Sequence, residues 1–174
     1  RLPQTVADVG GRLDRVQGTQ VVAGGDALGD RQGVPGFVGR RQQHAIADVS
    51  TTLRFTPTRD GARAGLVAMQ NDYAYLFFGL TRIDGQSRIA LYKREGKNTR
   101  DETAAETLIA SAPFAPKGPV TLTLHAKGGT MGFDYESGGK RATLTSDLDT
   151  RFLSTARAGG FVGTVVGPYV YNPK

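Results

Sequence analysis

The sequence has no cysteine and no tryptophan, only two histidines and two methionines, and no apolar run long enough for a membrane helix. The missing cysteines exclude disulfides, thiolate zinc sites, iron–sulfur clusters and a thiol nucleophile, and leave the compartment open between cytoplasm and periplasm. Without tryptophan, the indole platform on which many sugar-binding modules stack a pyranose ring is absent; the aromatics are eight phenylalanines and six tyrosines. A membrane span takes about 20 apolar residues, and no basic start leads into a hydrophobic signal region, so no membrane partner is expected. The first residue is Arg1, which reads as a mature or excised piece of something longer.

What is present fits one β-rich domain. The chain has 174 residues with 24 glycines and 8 prolines, a one-domain length by the usual size prior. At 39% hydrophobic and 22% charged it has enough apolar side chains for a core. The net charge of +6 is spread along the chain: residues 1–87 hold 10 basic and 8 acidic side chains, and residues 88–174 hold 12 and 8. Nucleic-acid binders concentrate positive charge on one face or helix, so no nucleic-acid partner is expected.

Periodicity points to strands. In residues 45–55 the odd positions Ala45, Ala47, Val49, Thr51, Leu53 and Phe55 alternate with Asp48, Ser50, Thr52 and Arg54. Residues 120–127 alternate likewise and pass through Gly128-Gly129 into 130–135, a hairpin pattern. A second hairpin is expected between 73–82 and 88–94, with Asp84-Gly85 supplying the turn. Further strands are expected at 19–23, 65–70, 107–110, 141–144 and 160–166; residues 98–108 admit a short helix with a thin apolar stripe. Many short strands between Gly, Pro and Asp turns imply two antiparallel sheets packed face to face, an all-β sandwich. Residues 1–36, rich in glycine, read as a lead-in segment with one strand that joins from a preceding domain; residues 37–174 form the sandwich.

Local chemistry is sparse. His44 and His125 lack metal-ligand spacing, Asp147 and Asp149 lack the rest of a calcium loop, and Gly138-Gly139-Lys140-Arg141 fails as a phosphate loop. No metal site and no cofactor are therefore expected. There is no Gly-x-Ser-x-Gly elbow. Asp72, Asp134 and Glu136 are the remaining carboxylates to weigh as a hydrolytic pair, and Asp134 and Glu136 would share one strand face as solvated residues. Tyr73, Tyr75 and Phe77 share one face and Leu76 and Phe78 the other, mostly as core.

Phe37-Val38-Gly39-Arg40-Arg41-Gln42-Gln43-His44 is an unusual polar string, costly to bury unless hydrogen-bonded. It is similar to a stretch of the C-terminal β-sandwich of glycoside hydrolase family 43 β-xylosidases. Ala64-Gly65-Leu66-Val67-Ala68-Met69-Gln70-Asn71, then Tyr75-Leu76-Phe77-Phe78-Gly79, resemble the next block of that domain. Phe152-Leu153-Ser154, Gly159-Gly160-Phe161-Val162-Gly163-Thr164 and Gly167-Pro168-Tyr169 resemble its closing strands, and residues 19–28 fit its first strand and loop more loosely.

The resemblance implies a concanavalin A-like jelly roll with the catalytic carboxylates elsewhere, on an N-terminal five-bladed propeller that nothing here matches. It implies an accessory role in a xylan 1,4-β-xylosidase or α-L-arabinofuranosidase, with a xylo-oligosaccharide substrate and a chain that is not catalytic alone. By motif position it makes Phe161 the aromatic that closes the substrate pocket. Arg40, Arg41, Gln42, Gln43 and His44 then either anchor the sandwich against the propeller or line the pocket rim, or else form an internal polar network that pins strand register. Relatives continue with a longer strand pair where this chain reaches Pro173-Lys174, so a shorter last sheet edge is expected. The competing reading is a free-standing carbohydrate-binding or adhesion module, since one fold hosts many functions. A docked domain should expose an apolar patch, a free module a polar surface with a groove. Self-association is left open.

Overall fold

The period-two segments pair as antiparallel strands in the computed structural model, which describes residues 6–11, 16–22, 25–30, 32–159 and 163–173. In chain order the strands are β1 (Val6–Gly11), β2 (Val16–Val22), β3 (Gly36–Phe37), β4 (Arg40–Arg41), β5 (Ile46–Arg54), β6 (Arg63–Asn71) and β7 (Ala74–Ile83). They continue as β8 (Gln86–Glu95), β9 (Glu106–Pro113), β10 (Val120–Lys127), β11 (Thr130–Ser137), β12 (Lys140–Asp149) and β13 (Val165–Tyr171). Among the described residues, the first sheet runs β12-β11-β10-β5-β1-β2 and the second β3-β13-β6-β7-β8-β9, with β4 also on β13.

The sheets stack because each has one apolar face. In the first, Leu53, Leu122, Leu124 and Phe133 point inward; in the second, Leu66, Leu76, Phe78, Leu80, Ile89 and Leu91 do, all nearly sealed from solvent. Phe78 meets Phe133 edge to face at 5.2 Å, tying the layers together. This is the expected sandwich.

Turn chemistry sets the register. Asp84 (φ 49°) and Gly85 (φ 76°) form a two-residue turn with left-handed backbone at both positions, which matches the strand twist and pairs Ile83 with Gln86. The loop is thus shorter than the five residues the sequence pattern suggested. Gly128-Gly129 closes the β10–β11 hairpin where expected.

Four differences have physical causes. Residues 98–105 are not helical: Asn98 accepts from Arg100 N (2.8 Å), and Asp101 from Lys97 N (3.0 Å) and Thr103 Oγ1 (2.6 Å), so side chains hold turns in place of helical bonds. Val6–Gly11 is a strand beside β5, although its glycines hide the alternation. The last strand begins at Val165 and runs to Tyr171, and the segment before it includes a helical turn, α1 (Thr155–Ala158). Finally, β13 is not a sheet edge, because β6 flanks it on one side and β3 and β4 on the other.

The outer face of the second sheet is also covered. Val67, Tyr75, Phe77 and Tyr169 are buried there with Leu28, which the lead-in segment lays across them. Leu28 N donates to the Tyr169 hydroxyl at 3.0 Å, which fixes that strap. No helix among the described residues is long and apolar enough to cross a membrane.

Candidate functional site

The polar string at 40–44 lies at one end of the sandwich. Arg40 and Arg41 form β4, opposite Val166 and Val165 of β13, and Gln42 N donates to Thr164 O at 2.8 Å, which extends the pairing. Close backbone approach makes this possible. A Cβ on Gly167 would lie 2.9 Å from the Gly39 Cα and would run into the Val38 carbonyl. Arg40, Arg41, Gln43 and His44 are exposed and Gln42 is half-buried. This exposure does not fit an internal polar network of these side chains; among the described residues Gln42 Nε2 donates to the nearby His44 O, at 2.8 Å.

Gln42, Gln43 and His44 line a cavity of about 280 Å³ whose far wall is the Gly128-Gly129 turn, Arg151 and Ser154. Arg151 is clamped by Asp149 through Nε (3.0 Å) and Nη2 (2.6 Å), and those hydrogen bonds hold the Asp149 carboxyl well below the usual carboxylate range. Two apolar side chains bracket the strip in sequence, Val38 at 54% exposure and Ile46 at 80%. Ile46 occupies the wet face of β5, where a polar residue would keep the alternation.

Phe161 lies outside the described residues. Both flanks of its segment are anchored beside the strip. On one side Gln70 Nε2 donates to Gly159 O (3.1 Å) and Asn71 Nδ2 to Ala158 O (2.9 Å), while Ala158 is fully buried. On the other, Thr164 Oγ1 donates to Leu153 O (3.3 Å) and Thr164 O accepts from Gln42. Gly159 (φ 76°) and Gly163 (φ 73°) hold left-handed backbone at the two ends. The Gln70–Asn71 clamp was missed as a functional feature; its signal was two amides ending an apolar strand.

Among the described residues, another titratable cluster is built around His125. His125 sits between Asp48 (2.7 Å from Nδ1) and Asp134 (3.0 Å from Nε2) on the outer face of the first sheet. Asp134 also accepts from Arg141 (2.6 Å) and Thr143 (2.7 Å). Burial opposes ionisation of Asp134, but the bonds from Thr143, Arg141 and His125 outweigh it and lower its pKa. A carboxyl whose folded pKa is depressed adds stability above its unfolded value, about 3.9, and loses it as pH falls through the folded value. Asp134→Asn is accordingly expected to lower the urea midpoint at pH 7 and to flatten its decline below about pH 4. Among the described residues, no group of three His, Asp or Glu side chains is placed to hold a metal ion.

With this geometry in place, the relatives become informative. Residues 13–174 match the model of the β-xylosidase C-terminal concanavalin A-like domain. The chain belongs to that family. Its two sheets are the concanavalin A-like sandwich of that domain, as the motif resemblance implied. Solved structures agree. A family 43 enzyme from a capybara gut metagenome is 26% identical over 90% of this chain, with a TM-score of 0.79. A family 43 protein of a Bacteroides ovatus xyloglucan locus is 24% identical over 92% (TM-score 0.77), and a xylan β-1,4-xylosidase of Bacillus halodurans is 21% identical over 92% (TM-score 0.76). The chain spans only 29%, 30% and 31% of those three proteins. Among curated protein sequences none matches it. The concanavalin A-like domain is thus the smaller, accessory part of the family 43 architecture.

Proposed function

We propose that this domain completes a β-xylosidase or α-L-arabinofuranosidase by docking the strip at 40–44 against an N-terminal catalytic propeller and presenting Phe161 to that propeller's xylosyl pocket. Residues 1–36 then carry the chain from the propeller into the sandwich, to which they contribute β1 and β2. The observation that carries this reading is the placement of the anchored flanks of residues 160–162 beside an exposed strip bracketed by Val38 and Ile46. Such an apolar and hydrogen-bonding surface is what a docked domain presents. An aromatic ring held there would exclude water from the sugar while the propeller supplies the acid and base.

The experiment uses the enzyme with propeller and sandwich on one chain. Phe161→Ala is expected to lower kcat/KM on short xylosides by about tenfold with the melting temperature unchanged. Arg41→Ala combined with Ile46→Asp should loosen domain association and expose the linker to protease. Unchanged kcat/KM and unchanged docking would sink the reading and favour a free-standing module.

A further inference from the structure

A second cavity, of about 310 Å³, opens on the outer face of the second sheet and shares no lining residue with the first. Its wall includes Arg63, Tyr75, Glu106, Tyr169 and Tyr171, with Leu28 of the strap at one side. The sheet is bare between Arg63 and Phe77, because the facing pair Gly65 and Gly79 carries no side chain. Arg63 fills that gap. Its guanidinium lies 5.2 Å from the Phe77 ring centre and 4.7 Å from that of Tyr92.

Three features give this cavity ligand chemistry. Glu106 accepts from Arg63 Nη1 at 2.8 Å and from the Tyr75 hydroxyl at 2.9 Å, so one cation and one anion offset each other and the lining is neutral overall. The half-buried Tyr171 ring stacks nearly parallel on the buried Tyr169 ring, at 7° and 6.5 Å, which fixes an aromatic surface beside those polar groups. Burial raises the pKa of Tyr75 and pushes that of Tyr169 up to about 12, so both phenols keep their protons at neutral pH. The Arg63 guanidinium is held in place by its pairing with Glu106 and by the two rings it covers.

We infer that this cavity binds a neutral pyranose unit, whose hydroxyls engage Glu106 and Arg63 while its C–H face rests on Tyr171. The volume is at the lower end for small-molecule sites, about 300 Å³, which suits one sugar ring and not a chain. A charged sugar is disfavoured, since the Arg63–Glu106 pair offsets its own charges and leaves the lining no net charge to balance a ligand's.

The test needs only the 174-residue chain, so it stands or falls separately from the docking reading. With no tryptophan present, tyrosine fluorescence is unobscured, and three of the six tyrosines line the cavity. Titration with xylose and with galactose should give a saturable change for at least one of them, and glucuronate should bind about tenfold more weakly or not at all. Tyr171→Ala, at a half-buried position, should weaken binding about tenfold with the melting temperature kept. Glu106→Gln should do the same and guards against misfolding of the first variant. No saturation with either neutral sugar, equal binding of glucuronate, or binding that survives both substitutions would overturn the inference.

Discussion

Phe78→Ala is expected to remove about 3–5 kcal/mol of stability, read from the urea midpoint at constant slope. Phe78 is about 1% exposed at the centre of β7 and packs on Phe133 of the opposite sheet. Truncation opens a hole between the layers, and the strands on either side cannot collapse into it without breaking their ladders. Domains of this size are stable by about 5–15 kcal/mol, so roughly a fifth or more of the total is at stake. Leu108→Ala, at a site 47% exposed, supplies the contrast and should stay within about 0.5 kcal/mol. A loss below about 1 kcal/mol for Phe78→Ala would mean that this ring pair does not join the sheets.

Gly65→Ala should be at least as damaging, for a steric reason. Gly65 pairs with Gly79 on one side and Tyr169 on the other, and a Cβ there would lie 2.6 Å from the Gly79 Cα. The obstacle is backbone, which cannot rotate aside as a side chain would. Overpacking ordinarily costs about 1–3 kcal/mol. Because two central strands must separate here, we expect about 3 kcal/mol or failure to fold, with loss of the guanidinium's seat over Phe77. Gly118→Ala is the control, since nothing lies within 4 Å of its Cβ position and its backbone is not left-handed. It should be neutral or slightly stabilising through the unfolded chain. Tolerance of alanine at Gly65 would mean that the β6–β7 spacing adapts.

The sandwich was legible wherever a strand has one wet face and one dry face. β5 and β10 alternate cleanly, and Asp84-Gly85 announces its turn. Legibility failed where both faces are covered. Tyr75 and Phe77 look like ordinary core, but they lie on the outer face and are buried by Leu28, almost fifty residues earlier in sequence. A contact of that range leaves no periodic trace. Likewise Arg63 and Glu106 read as unremarkable charges, and their meeting depends on the order β6-β7-β8-β9, which no local pattern encodes. The strip at 40–44 stood out by composition, yet its two structural readings could be separated only by exposure, which depends on β4 pairing with β13.

That pairing has a consequence for how the molecule is made. The second sheet receives β13 last: it slots between β6 and the short strands β3 and β4, joining residues about 100 or more positions apart. Once residue 150 has been released, every strand of the first sheet and the β6-β7-β8-β9 part of the second are therefore available, but β6 has an open edge and β3 and β4 have no partner. Such long-range closure is slow, and unpaired edges invite association with other chains. The nascent domain should thus stay protease-sensitive and chaperone-dependent until the strand carrying Tyr169 emerges, and then fold in one late step.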